Sequence, residues 1–182
     1  MMNNYIEAAK ILKQGGVIAY PTEAVFGFGC DPFNEKAVNK ILSLKKRSVD
    51  KGLILIASNW NQIKDLTKLI PQDKLNIVLN SWPGPYTWIF PSSDKVPHWI
   101  SGKFDSIALR VSAHPTVQNL CNAYNGPIVS TSANPENKPP ARSIEEVKNY
   151  FPNELDLILG GEVDTTKQPS MIKDAVSGEV LR

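Results

Sequence analysis

Short apolar runs of β character alternate with stretches of helical period along almost the whole chain, and no other feature restricts the possible folds as much. Tyr5, Ala8, Ala9 and Leu12 recur at helical spacing until Gly15-Gly16 ends the run, and residues 17–20 then read as a short buried strand closed by Pro21. Asn34 is placed to cap a helix with Ala37, Val38, Ile41 and Leu42 on its apolar face. Residues 53–57 form a strand, and Ser58 is expected to cap a helix running through Ile63, Leu66 and Ile70. Leu75, Val78, Leu79 and Trp82 mark a further helix that stops at the turn Pro83-Gly84-Pro85. Strands at 86–90 and 106–111 flank a loop holding His98, Pro115 opens a helix with Val117, Leu120, Cys121 and Tyr124, and 127–130 is another strand. After a loop rich in Asn and Pro, Ser143 and Glu146 make a capping box for a helix through Val147 and Tyr150, followed by strands at 155–159 and 171–176.

No Pro/Gly/Ser-rich linker or internal repeat interrupts this order, and 182 residues are enough for one domain with a sizeable core. The expectation is a single α/β domain over residues 1–182. The formal charge of +2 is too small to argue for a nucleic-acid partner by itself, but its placement is uneven. Residues 36–51 hold six bases (Lys36, Lys40, Lys45, Lys46, Arg47 and Lys51) against one acid, Asp50, whereas residues 154–182 hold six acids against three bases. A local anion site in the first third follows. Cys30 and Cys121 lie far apart, and His98 and His114 are the only histidines, which argues against a structural zinc site and a disulfide framework. Nothing approaches a membrane span, and the chain reads as cytoplasmic and reduced.

The common nucleotide and hydrolase signatures are missing. There is no G-x-x-x-x-G-K-[ST], Gly27-Phe28-Gly29 meets Pro32 where a third glycine belongs, and there is no G-x-S-x-G. Chemistry in this chain must therefore rest on positioning and electrostatics. Period-2 alternation across 106–111 sends Ile107, Leu109 and Val111 to one face and Ser106, Ala108 and Arg110 to the other, so Arg110 is either a ligand-binding cation or an edge-strand residue in water or in an ion pair. Ser130, Ser132 and Asn134 align on one side beyond a strand, as a polar wall for a ligand or as a turn satisfying its own backbone. Lys45 and Arg47 suit a multiply charged anion, although bases at a helix C-terminus are also favoured by its dipole. Thr22 and Thr87 each follow a strand or turn and either donate to a ligand or serve β structure, and Cys30 is most simply a small buried residue.

Five segments taken together resemble the threonylcarbamoyl-AMP synthases of the YrdC/TsaC family: AYPTEAVFGFGCDP (19–32), LKKRSVDKGL (44–53), WPGPYTWIFP (82–91), FDSIALRVSAHP (104–115) and STSAN (130–134). They occur in order over nearly the whole chain and are similar to the short bacterial form that lacks an additional C-terminal domain. The resemblance implies a twisted sheet of parallel and antiparallel strands, flanked by helices, around a positively charged cavity. It implies that L-threonine, bicarbonate and ATP give L-threonylcarbamoyl-adenylate and pyrophosphate, for modification of the tRNA adenosine next to the anticodon. By the same resemblance Lys45 and Arg47 match the K-x-R pair near the triphosphate and threonine, and Thr22, Arg110 and Ser130 would hold threonine. Ser132 and Asn134 would face the nucleotide, with Ser106 and Ser170 where the family contacts ATP. Mg²⁺ would arrive with ATP, and the implied partners are downstream tRNA threonylcarbamoyl-transfer proteins and RNA, with no membrane.

Two departures stand out: Ser48 replaces the proline common after the K-x-R arginine, and Pro135-Glu136-Asn137 replaces the usual Ser-Gly after Asn134, with Asn137 able to take a left-handed conformation in place of glycine. Two other readings remain at this point. One is an RNA-binding module with no catalysis of its own, which needs neither ATP nor threonine. The other is a carbamoyltransferase using carbamoyl phosphate, which releases no pyrophosphate.

Overall fold

The computed structural model describes residues 2–163, 168 and 170–181. Its helices are α1 (Met2–Lys13), α2 (Glu35–Lys45), α3 (Gln72–Ser81), α4 (His98–Ser101), α5 (Pro115–Tyr124) and α6 (Ile144–Tyr150). Its strands are β1 (Ile18–Pro21), β2 (Phe26–Gly29), β3 (Ile54–Ala57), β4 (Tyr86–Pro91), β5 (Ser106–Val111), β6 (Ile128–Ser132), β7 (Leu157–Ile158) and β8 (Met171–Asp174). The strands make one eight-stranded sheet in the order β7-β1-β2-β6-β3-β5-β4-β8. The β1–β7, β3–β5 and β4–β8 pairings are parallel and the remaining ones antiparallel. The α/β expectation, with a mixed sheet flanked by helices, is what the chain adopts.

Register assigns the side chains to two faces, because residues opposite one another on adjacent strands point the same way. Phe28, Leu55, Val129, Leu109, Trp88 and Phe90 face a large core completed by Ala37, Val38 and Ile41 of α2, Val78 of α3, Ile100 of α4 and Val147 of α6. On the opposite face Ile18, Tyr20, Ile56 and Ile128 meet Ala8 and Leu12 of α1 and Val117, Leu120 and Cys121 of α5. These two helices cover only part of that face. Ile54 lies opposite Ser130 on one neighbour and Ala108 on the other, and this row is half-exposed rather than buried.

Local signals act as read at the helix ends. Asn34 Oδ1 accepts the Ala37 N–H at 3.1 Å, and Ser143 Oγ accepts the Glu146 N–H at 3.1 Å. Glu146 reaches back to the Arg142 N–H at 2.6 Å rather than to Ser143 itself, a capping box displaced by one residue.

Three elements differ from expectation. The helix from Ser58 through Ile70 is instead two short 3₁₀ turns, Trp60–Gln62 and Lys64–Leu66. Ser58 does not cap: its N–H donates to Gln62 Oε1 at 3.0 Å and its hydroxyl to Asn122 Oδ1 at 2.6 Å. The turns bury Ile63 and Leu66 while setting Trp60 against Trp82 and Phe90, with ring centroids 6.1 and 5.7 Å away. Tertiary packing thus overrides the helical spacing. Strand β2, written FGFG, had no strand signature; its glycines permit close approach, since a Cβ on Gly29 would stand 2.8 Å from the Tyr20 ring. The segment holding His98 contains the short α4 rather than only loop.

Candidate active site

The uncovered part of the second face forms the floor of a groove made of three cavities in contact. The inner one, about 370 Å³, is lined by Glu23, Gly84, Tyr86, Arg110 and Gln168 among others. The central one, about 290 Å³, shares Glu23, Arg110 and Gln168 with it and adds Thr22, Arg47, Ser130, Ser132 and Ser170. The outer one, about 180 Å³, shares Arg47 and Ser132 and adds Lys45, Lys46, Lys51, Asn134 and Glu136.

Arg110 lies on β5, which is interior between β3 and β4, so the edge-strand alternative is overturned. The ion-pair element of that alternative is present, but inside the groove. Arg110 Nη2 meets Glu23 Oε1 at 2.7 Å, both side chains are 11% exposed, and Arg110 Nε donates to Gly84 O at 3.1 Å. Burial pulls the Arg110 pKa down and the adjacent Glu23 carboxylate opposes that shift. Ser112 Oγ donates to the same Glu23 oxygen at 2.7 Å. Thr22, next in sequence, donates its hydroxyl to Val25 O at 2.7 Å, which holds the turn that presents Glu23 while leaving oxygen lone pairs available.

At the other end, α2 stops when Lys46 takes a left-handed conformation at φ 50°, and this turn delivers Lys45 and Arg47 to the groove. Lys46 lines the outer cavity as well, beside Lys45 and Arg47. Lys45 Nζ donates to Ser132 O, to Asn134 O at 3.1 Å and to Asn134 Oδ1 at 3.2 Å. Burial and then the charge of Arg47 pull the Lys45 pKa down to about 8. Arg47 Nη2 donates to Gly52 O at 2.9 Å. Because Arg110 is paired with Glu23, the excess of cationic side chains lies at the Lys45–Lys51 end.

Ser130 and Ser132 sit on β6 facing the groove, and Ser132 Oγ donates to Asn134 Oδ1 at 2.6 Å. Asn134 Nδ2 donates in turn to Pro135 O at 3.0 Å and Lys138 O at 2.9 Å, holding the Pro135-Glu136-Asn137 segment, where Asn137 takes φ 62°. The polar wall and the self-satisfied turn are therefore the same structure. Ser170 Oγ lies 2.8 Å from the buried Thr87 hydroxyl. Ser106 shares the Arg110 face of β5 but lies outside the three cavity linings. Cys30 is buried, and burial pushes its thiol pKa far up, consistent with a packing role.

Sequence reasoning missed Glu23 and Gln168 as groove residues. The only signal was Glu23 directly following Thr22 at the strand exit, and nothing local announces its pairing with Arg110. Among the described residues no group of three or more His, Cys, Asp or Glu side chains is placed to hold a metal ion. No described helix is long and apolar enough to cross a membrane.

Known proteins resemble the chain in sequence and in fold. A protein named threonylcarbamoyl-AMP synthase from Coxiella burnetii (strain RSA 493) is 52% identical over 176 residues, covering 97% of this chain and 95% of that one. One of the same name from Pseudomonas entomophila is 53% identical with the same coverage. Among solved structures, P. abyssi Sua5 complexed with L-threonine superposes with a TM-score of 0.90 at 32% identity, covering 96% of this chain and 51% of that one. This chain thus spans about half the length of Sua5. E. coli YciO shares the fold, with a TM-score of 0.88 at 24% identity over 100% of this chain and 89% of that one. The Sua5/YciO/YrdC family, described as "Telomere recombination", matches residues 10–182, and with curated relatives above half identity along almost all its length the chain belongs to that family.

Proposed function

We propose that the groove makes L-threonylcarbamoyl-adenylate from L-threonine, bicarbonate and ATP, releasing pyrophosphate. The enzyme is then a nucleotidyltransferase whose product feeds threonylcarbamoylation of tRNA adenosine beside the anticodon. The observation that carries this reading is the polarity of one continuous groove: a buried guanidinium at its inner end, a cluster of cationic side chains at its outer end, and serines between them.

Arg110 can grip a carboxylate with two N–H donors, and Thr22 and Ser130 orient the rest of the amino acid. Lys45 and Arg47 face the triphosphate and neutralise charge that builds on departing pyrophosphate, while Ser132, Asn134 and Ser170 line its path and Ser106 lies further along the same face. The threonine nitrogen bonds to the bicarbonate carbon as water leaves, giving a carbamate. A carbamate oxygen then bonds to the α-phosphorus of ATP as the bond to pyrophosphate breaks. No protein nucleophile is required; alignment of two anions supplies on the order of 7–11 kcal/mol in well-oriented systems. Mg²⁺ bound to the nucleotide phosphates would add charge neutralisation, and Lys45 and Arg47 act beside it. Such an enzyme belongs in the cytoplasm with its tRNA and the transfer proteins that consume the mixed anhydride, and RNA contact is a secondary property.

The test is pyrophosphate release by purified protein with ATP, Mg²⁺ and bicarbonate, comparing L-threonine, L-serine and no amino acid. Threonine-dependent release is expected. Folded protein that releases none, yet retains RNA with steep salt dependence, would replace the synthase reading with an RNA-binding module.

A further inference from the structure

A further cavity, of about 680 Å³, shares no lining residue with the three that make the groove. It lies before the start of β6, at Gly126 and Pro127, whereas the groove takes Ser130 and Ser132 from the strand's other end. Its size suits a small organic ligand. Five carboxamide side chains line it, those of Asn59, Asn61, Gln62, Asn122 and Asn125. Lys13 is the one charged residue on the described lining, and Phe33 and Tyr124 add aromatic rings, Phe33 being 49% exposed.

Two of the amides are oriented by a single hydroxyl. The buried Ser58 Oγ donates to Asn122 Oδ1 at 2.6 Å and accepts from Asn59 Nδ2 at 3.0 Å. The outward ends are then opposite in kind: Asn122 Nδ2 is a donor, Asn59 Oδ1 is an acceptor, and neither bonds to another described residue. Gln62 holds this arrangement from behind, with Oε1 on the Ser58 N–H at 3.0 Å and Nε2 on Cys121 O at 3.1 Å. Burial and the neighbouring Asp31 carboxylate push the Tyr124 phenol up, so that wall stays neutral.

A donor and an acceptor converging on one oxygen, beside an exposed ring, match the edge and the face of a nucleobase. Each base carries donors next to acceptors on its edge, and each has a π face that an aromatic side chain can cover. A sugar lacks that face, and a simple anion makes no use of five neutral amides. We propose that this cavity is a nucleobase-binding site, separate from the groove, that takes one unstacked base with its phosphate toward Lys13. Free ribonucleotides and unpaired RNA residues both offer this chemistry.

The test follows the backbone amide NMR signals of the full, isotope-labelled chain with uridine monophosphate, ribose phosphate and hexauridylate. Uridine monophosphate should move the signals of Asn122, Asn125 and Gly126. Phe33→Ala should weaken it about fivefold or more, and Asn122→Ala about threefold. Both side chains are exposed, so neither variant removes core packing. Ribose phosphate, which has the sugar and the anion without the base, should leave these signals in place. Hexauridylate that moves the same signals at a concentration at least tenfold lower assigns the site to unpaired RNA, and one that binds no tighter than the monophosphate assigns it to free nucleotide. Equal shifts with ribose phosphate would reduce the cavity to an anion contact of Lys13 and overturn the proposal. Uridine ligands that move only groove signals or none, or whose binding both variants leave unchanged, would overturn it as well.

Discussion

The two faces of the sheet are made from the same strands but do different work. One is closed: Phe28, Leu55, Leu109, Val129 and Phe90 are all nearly inaccessible and share one core. The other is closed only where α1 and α5 lie across it, and beyond Ile56 and Ile128 the strands carry Ser130, Ser132 and Arg110 instead of more apolar side chains. Most of the apolar packing lies on the first face, and the groove lies on the uncovered part of the second. This chain forms its groove by leaving sheet uncovered, so that Arg110, Ser130 and Ser132 line it from strands while Thr22 and Arg47 reach it from the turns beside them.

The largest effect expected from this division is on stability. Phe28→Ala removes a fully buried ring that packs edge-on against Phe151 at 4.8 Å between centroids, and should cost about 3–5 kcal/mol. Ser130→Ala on the open face should cost about 1 kcal/mol or less while weakening threonine binding. Denaturant unfolding of both variants checks the contrast, and similar losses would break it.

Next comes Arg110→Ala, which should weaken threonine by about tenfold or more with ATP affinity changed by less than about threefold. Calorimetric titration with each substrate distinguishes them. Arg110→Lys keeps a cation opposite Glu23 in case the alanine variant does not fold. An unchanged threonine response in either variant would remove Arg110 from the inner seat.

A smaller, pH-dependent effect belongs to the outer end. Lys45 is pulled down to about 8, so its positive charge is lost as pH rises through that value. ATP affinity should therefore fall severalfold between about pH 7 and pH 9.5, and Lys45→Arg, which stays charged, should flatten the fall. A wild-type affinity that does not change over this range would show that the three acceptors from Ser132 and Asn134 hold Lys45 in a purely structural role.

Legibility varied with how local each cause was. The caps at Asn34 and Ser143 were readable because cap and partner lie three residues apart. The face assignments of Arg110, Ser130 and Ser132 were readable because a strand alternates strictly. The turns after Ser58 were not, because Ser58 is held by Asn122, 64 positions away, and Trp60 by an aromatic cluster drawn from other elements. Strand β2 was hidden because Gly29 answers to the Tyr20 ring across the hairpin, not to strand propensity.

By itself, the sequence determined the alternation of elements, the apolar faces that must be buried, the basic turn after α2 and the motifs that mark the family. Those depend on period, capping and composition, which act over a few residues. Only the tertiary structure decided which part of the sheet stays uncovered, that Arg110 is neutralised by Glu23, and that Lys45 is tied to the Ser132–Asn134 turn. Each of these is a contact between segments distant along the chain; Ser112 and Glu23 are 89 positions apart. Such pairings are set by strand order and register, which residue spacing does not encode.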